Sequence, residues 1–262
     1  MLEGALGTDA DAVVFDLEDA VSPADSADAR ATVVSVLDGI DIDDGPEVLV
    51  RVNELEVGGR DDIEALGSLE ASAPAGVVLP KVDDAATVGG YRSLIREADL
   101  DASLWCLIES PEGLLEAPSV AWSTGVTAVI FGGEDYMAAV GGERTASNTE
   151  LLYARQHVVA AASAAGVDAI DGITADFEDL DRVRSDAEEA ATFGFDGKLA
   201  IHPAQLAPIN EAFTPDPERI EWARRVITAA ESTDRGVFSV DGEMIDAPLI
   251  ARARSILDRI DE

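Results

Sequence analysis

TAVIFGGED, residues 127–135, is an apolar run long enough for one buried strand, and it closes on two glycines and two acids. Charge at the end of a buried strand is costly unless that end opens onto water, a counter-charge or a ligand. Six more runs have the same form: DAVVFDLED (11–19), EVLVRVN (47–53), AGVVLPKV (75–82), SLWCLIES (103–110), VDAIDGI (167–173) and GKLAIHP (197–203). Near-continuous apolar strands are the mark of a parallel sheet covered on both faces. Seven such strands with polar ends suggest one shared mouth, as on the C-terminal face of a β/α barrel, and hence an enzyme.

The segments between the runs carry helical spacing. Helices are predicted at 25–38, 60–72, 83–98, 112–123, 149–165 and 178–193, the last two stopped by Gly166 and Gly194. Strict alternation of strand and helix gives right-handed crossovers and an α/β fold, a (β/α)8 TIM-type barrel over residues 1–213. Closure needs eight strands, and only seven runs are present. The opening MLEGALGTDA reads as a helix leading into the first visible strand, so the expected barrel lacks its first strand. Residues 214–262 break the rhythm. They read as a helix (221–233), a hairpin turning at Asp241-Gly242 and a final helix from Pro248 to Ile260. This extension is expected to pack on a neighbouring subunit.

The 262 residues carry 53 acids and 18 bases, for a net charge of −35. Only two of the bases are lysine, Lys81 and Lys198. An acidic, lysine-poor surface is expected of a protein that works in molar salt, where the Debye length falls to about 3 Å. The same charge disfavours nucleic acid and anionic membranes as partners. Cys106 is the single cysteine and excludes an intrachain disulfide framework. With no signal peptide and no long apolar stretch, the sequence reads as a soluble, cytoplasmic protein.

The run ends supply Asp16, Glu18, Asp19, Arg51, Asn53, Lys81, Glu109, Glu134, Asp135, Asp171 and His202. Surplus carboxylates beside one arginine and one lysine suit a divalent cation and an anionic oxygen substrate. Hard oxygen ligands favour Mg²⁺, which takes one or two protein carboxylates and keeps room for water and substrate. Glu109 and Asp135 are the candidate ligands. Glu134 is expected to point away, because neighbouring strand residues alternate faces. Glu18 and Asp19 either orient metal-bound waters or cap the following helix. Arg51 is a candidate anion clamp. Lys81 either fills a positional need or forms a structural ion pair. Lys198 begins its run and is expected at the opposite rim, where residues serve stability. His202 either contacts substrate or caps the barrel. No nucleotide-binding glycine motif, nucleophile elbow or zinc-ligand pair is present.

The ordered motifs DLEDAV, VRVN, LPKV, LIES, GGEDY, DGKLAIHP and DGEMIDAP resemble those of the HpcH/HpaI aldolase and citrate lyase β-subunit family, nearest to its citryl-CoA, malyl-CoA and methylmalyl-CoA lyases. The resemblance implies a β/α barrel assembled as a homotrimer or homohexamer. It implies Mg²⁺, with Mn²⁺ as the alternative, held by Glu109 and Asp135. Substrate binding falls on Arg51 and Glu109, and acid/base work on Asp246, whose other reading is a helix N-cap. The implied reaction cleaves a 3-hydroxy-3-carboxyacyl-CoA thioester to acetyl- or propionyl-CoA and a 2-oxo acid. Such chemistry suits Arg51 as a partner for the enolate oxygen. The alternatives are a malyl-CoA thioesterase, a Schiff-base aldolase using Lys81, or a non-catalytic truncated paralogue. The family's opening strand and its Pro-Gly-x-Arg-Pro-x-Met stretch are matched only by Met1-Leu2, so either a late start site or a truncation is expected.

Overall fold

The computed structural model describes residues 2–40, 45–69, 73–233 and 235–261. All seven apolar runs contribute strands: β1 (Ala12–Asp16), β2 (Glu47–Arg51), β3 (Gly76–Leu79), β4 (Ser103–Ile108), β5 (Val126–Phe131), β6 (Asp168–Asp171) and β7 (Gly197–Lys198). They form one sheet in the order β1 to β7, every neighbouring pair parallel. A short helix, α1 (Leu2–Ala5), precedes β1, and helices follow the strands: α2 (Ser26–Gly39), α3 (Arg60–Leu66), α4 (Ala85–Glu97), α5 (Pro111–Ala121), α6 (Gly133–Val140), α7 (Leu152–Ala165) and α8 (Leu180–Phe193).

The sheet curls but does not close into a barrel: β1 and β7 are its two edges among the described residues. Seven strands fall one short of the eight that closure takes. Leu49, Val78, Leu107 and Ile130 form a buried layer on one face, with Val14, Trp105 and Ile170 half-buried against it. The other face meets the helices, and there Phe15, Val48, Val50, Val77, Cys106 and Val129 are buried.

Local chemistry sets the helix ends that place the strand termini. Asp84 caps α4 by accepting from the Thr87 amide at 2.7 Å. Ser110 caps α5, and Pro111 occupies its first turn. Gly166 and Gly194 end α7 and α8 with left-handed backbones.

Four sequence expectations are corrected. The helix predicted over 60–72 stops at Leu66 and turns at Gly67, and its residues 70–72 lie outside the described residues. The helix predicted from 149 starts as a 3-10 turn (Thr149–Leu151) before α7. GKLAIHP is strand only at Gly197–Lys198 and then runs into a 3-10 turn (Pro203–Gln205). Glu134 and Asp135 sit on the first turn of α6 rather than on a strand, so strand alternation does not govern where they point.

The chain divides into two compact units, residues 1–207 and 208–262. The second contains most of α9 (Leu206–Phe213), then α10 (Pro217–Glu231), β8 (Phe238–Val240), β9 (Glu243–Ile245) and α11 (Ala247–Asp261). The strands β8 and β9 pair antiparallel. Between them Asp241 and Gly242 both have positive φ, at 52° and 87°, the backbone that a tight two-residue connection requires. Ala223, Val226, Val240, Ile245, Ala253 and Ile256 form this unit's own core.

Candidate active site

The parallel register brings Asp16 and Arg51, the last residues of β1 and β2, side by side. Asp16 accepts from Arg51 Nε at 2.7 Å and Nη2 at 2.5 Å, a two-bond clamp that fixes the guanidinium plane. Burial alone raises the Asp16 pKa, but the Arg51 contact and the backbone amides of Glu18 and Ala20 outweigh it and hold the carboxyl below the ordinary aspartate value. Nη1 of Arg51 faces Glu18 at 3.0 Å and the exposed Asp19 at 3.4 Å. Burial works against the Arg51 charge, yet the surrounding carboxylates raise its pKa further.

Glu18 has both oxygens buried. They lie at ion-pair distance from Arg51 and from Lys81 Nζ (3.2 Å), without a hydrogen bond of good geometry to either. Burial, and next the charge of Asp19, push its pKa up against the pull of the two cations. Neither Glu18 nor Asp19 caps α2, which begins at Ser26 with no side-chain cap. Of the two sequence readings, the helix-capping one is therefore not realised.

Glu109 follows β4 directly and is only 4% exposed. Its Oε1 accepts from the Lys81 amide at 2.8 Å. Burial pushes the Glu109 carboxyl up to about 8; Asp135, close enough to hydrogen-bond to it, and Glu18 add to the rise, while the Lys81 amide opposes it. Gly132 lets the backbone after β5 run against Glu109: a Cβ there would lie 2.4 Å from Glu109 Cβ and 2.8 Å from Oε2. This close passage sets Asp135, on the first turn of α6, beside Glu109.

The buried Glu109 carboxyl, with its raised pKa, and the exposed Asp135 carboxyl beside it form an oxygen donor set that a cation would stabilise. No group of three or more His, Cys, Asp or Glu side chains at metal-binding distance occurs among the described residues. A two-carboxylate site suits Mg²⁺, which leaves its other positions to water and substrate.

Other expected residues have structural partners. Glu134 pairs with Arg144, away from Glu109. Asn53 donates to Leu17 O and to the buried Asp62, which Arg30 neutralises. Lys198 corrects its expectation: it pairs with Asp171 Oδ2 at 3.1 Å, at the C-terminal end of β6 rather than at the opposite rim. Arg155 holds both oxygens of Asp171, at 3.1 and 3.0 Å, and also meets Glu189. The cavity among Arg144, Arg155, Asp171 and Lys198 is about 20 Å³, room for one water. His202 caps the turn that follows it, its Nδ1 accepting from the Ala204 amide, and stacks on Phe177 at 4.8 Å. Asp246, in the second unit, sits at the N-cap of α11 and accepts from the Leu249 amide at 3.4 Å.

A family model, HpcH/HpaI aldolase/citrate lyase, matches residues 1–203. The chain belongs to the HpcH/HpaI aldolase/citrate lyase family. The mitochondrial citramalyl-CoA lyase of Mus musculus is 34% identical over 267 residues, covering 94% of this chain and 78% of that protein. A (3S)-malyl-CoA thioesterase of Cereibacter sphaeroides is 35% identical over 260 residues, covering 98% and 88%. Among solved structures, CitE of Mycobacterium tuberculosis in complex with magnesium, acetoacetate and coenzyme A has a TM-score of 0.79. It is 31% identical and covers 96% of this chain and 90% of that one.

Within this HpcH/HpaI member, sequence reasoning missed three features of the mouth. Asp16 was visible as a strand end, but its clamp on Arg51 follows only from β1 and β2 being neighbours in register. Glu54, which pairs with Lys81 at 2.9 Å, lies past the end of its apolar run and gave no signal. Arg155 sits in a helix whose amphipathic pattern looks ordinary, and nothing in the sequence marks its buried pair with Asp171.

Proposed function

We infer that this HpcH/HpaI member is a Mg²⁺-dependent carbon–carbon lyase. Its substrate is a 3-hydroxy-3-carboxyacyl-CoA thioester of the citryl-, malyl- or methylmalyl-CoA kind. The products are acetyl- or propionyl-CoA and a 2-oxo acid. The observation that carries this reading is the buried Glu109 with the exposed Asp135 beside it, in the same mouth as a clamped Arg51. Glu109 and Asp135 are the residues to hold the cation. When bound there, it supplies Lewis acidity toward the substrate's hydroxyl and carboxylate oxygens.

In the reaction the C2–C3 bond breaks, the C3 hydroxyl gives up its proton and becomes the carbonyl of the 2-oxo acid, and the electron pair passes to the thioester enolate. Protonation at C2 then yields the shorter acyl-CoA. Asp16 occupies Nε and one Nη2 hydrogen of Arg51 and Asp19 accepts from Nη1, so the second Nη2 hydrogen remains to meet an enolate or carboxylate oxygen. The two-bond clamp fixes that donor before substrate arrives, which is the arrangement that stabilises developing negative charge. Glu18 and Asp19, at 3.0 and 3.4 Å from Nη1, help to hold the guanidinium in place. Asp246 is the proposed acid/base, on the likeness of its DGEMIDAP motif, and its position at the start of α11 fixes the carboxyl. That role goes with a homotrimeric or homohexameric assembly. The pairing of Lys81 with Glu54 raises its pKa and keeps it an ammonium, which argues against a Schiff-base aldolase.

The relative from Cereibacter sphaeroides supports a second reading, hydrolysis of malyl-CoA to malate and free CoA. A panel of citryl-, malyl-, methylmalyl- and citramalyl-CoA, assayed in molar KCl with Mg²⁺, separates the two. The lyase gives a 2-oxo acid and no free thiol. Free thiol with no 2-oxo acid establishes the thioesterase instead, and neither product with any substrate contradicts both. Molar KCl belongs to the proposal, because the net charge of −35 suits a surface that works in high salt.

A further inference from the structure

Lys81 is one of the few residues other than glycine with a left-handed backbone, φ 46°, and it sits two residues past β3 in the mouth. Its surroundings hold it there. The next amide, Val82 N, donates to Leu107 O at 3.1 Å. The Val82 carbonyl packs against Gly113, where a Cβ would come within 2.3 Å of it. Asp83 accepts from Ser110, and Asp84 is fixed as the cap of α4. In this turn the Lys81 amide points at Glu109 Oε1, at 2.8 Å. Its ammonium turns back to Glu54 at 2.9 Å and Glu18 at 3.2 Å.

We propose that Lys81 is a positioning residue whose left-handed backbone aims its amide at Glu109 and so sets that carboxylate for cation binding, while its side chain joins the ends of the first two strands. The proposal deepens the metal-site reading above and rests on it for the cation. Backbone strain of this kind persists where the surroundings over-determine it, and it gathers at functional positions. The amide contact uses one lone pair of Oε1 and leaves Oε2, which faces Gly132, free of it. A purely electrostatic role for Lys81 predicts the opposite of a positioning role, since a cation near the site weakens the binding of another cation.

The test compares Lys81→Gly with Lys81→Val. Both remove the ammonium, but glycine adopts the left-handed backbone freely and a β-branched residue resists it. Mn²⁺ titrated into each protein and followed by electron paramagnetic resonance is expected to bind about tenfold more weakly to Lys81→Val than to Lys81→Gly. Equal affinities in the two folded variants overturn the proposal. A second measurement needs neither metal nor a folded valine variant: exchange of the Lys81 amide hydrogen in wild type and in Glu109→Ala. Faster exchange without the carboxylate supports the contact, and unchanged exchange overturns the proposal. Wild-type protein that binds no Mn²⁺ sinks the metal-site reading, and amide exchange then decides the positioning role by itself.

Discussion

Arg51 and Asp16 illustrate how one side chain is made ready by another. The guanidinium is planar and held at Nε and Nη2, so lysine at position 51 cannot reproduce the contact. Arg51→Lys is expected to lower kcat on the true substrate by about 100-fold or more, as loss of a preorganised donor does elsewhere. A change confined to KM points to simple substrate binding instead. The clamp also has a pH signature. The Asp16 pKa is lowered in the folded protein, so its contribution to stability is fully present above the ordinary value of 3.8 and is lost as pH falls through the lower folded value. Thermal midpoints of wild type and Asp16→Asn should therefore differ at neutral pH and converge as the pH drops below 3.8. A gap that persists in acid contradicts the assignment. The sequence offered Arg51 as a charge stranded in an apolar run. It did not offer Asp16 as its partner, because the choice belongs to strand order and register rather than to either residue.

At the scale of elements, the turn from β5 into α6 sets the distance between the two carboxylates. Gly132→Ala forces a methyl group against Glu109, so metal binding and turnover are expected to fall together. Gly89→Ala is the control, since a Cβ there meets nothing within 4 Å. That change in the interior of α4 should stabilise the protein by about 0.5–1 kcal/mol, read as a raised thermal midpoint. A fully active Gly132→Ala sinks the close-passage account. Within β4, burial pushes the Cys106 thiol up to about 12. It should stay inert to an aromatic disulfide reagent until the protein unfolds, and rapid labelling of the native state contradicts that environment. The strands were legible because each is a short apolar run bounded by polar residues. The GGED turn was misread as strand because two small residues after an apolar run give no sign of the helix that begins there.

For the whole molecule, the seven parallel strands and their order could be anticipated from alternation alone, and so could the missing closure, from the count. The division at residue 207 was less visible, since α9 continues the helical rhythm across it. Among the described residues no helix is long and apolar enough to cross a membrane. The net charge of −35 makes its own prediction: the thermal midpoint should climb steeply as KCl is raised toward molar concentration, where self-repulsion is screened. A salt-independent midpoint contradicts adaptation to high salt. The central claim, that Glu109 and Asp135 form the metal end of a carbon–carbon lyase site, is tested most directly by 2-oxo acid formation from the preferred acyl-CoA. Wild type and Glu109→Gln should be measured side by side with saturating Mg²⁺ and with EDTA. The account predicts product from wild type with Mg²⁺ alone, abolished by EDTA and by the substitution. Undiminished 2-oxo acid formation by Glu109→Gln, or by wild type in EDTA, would contradict it.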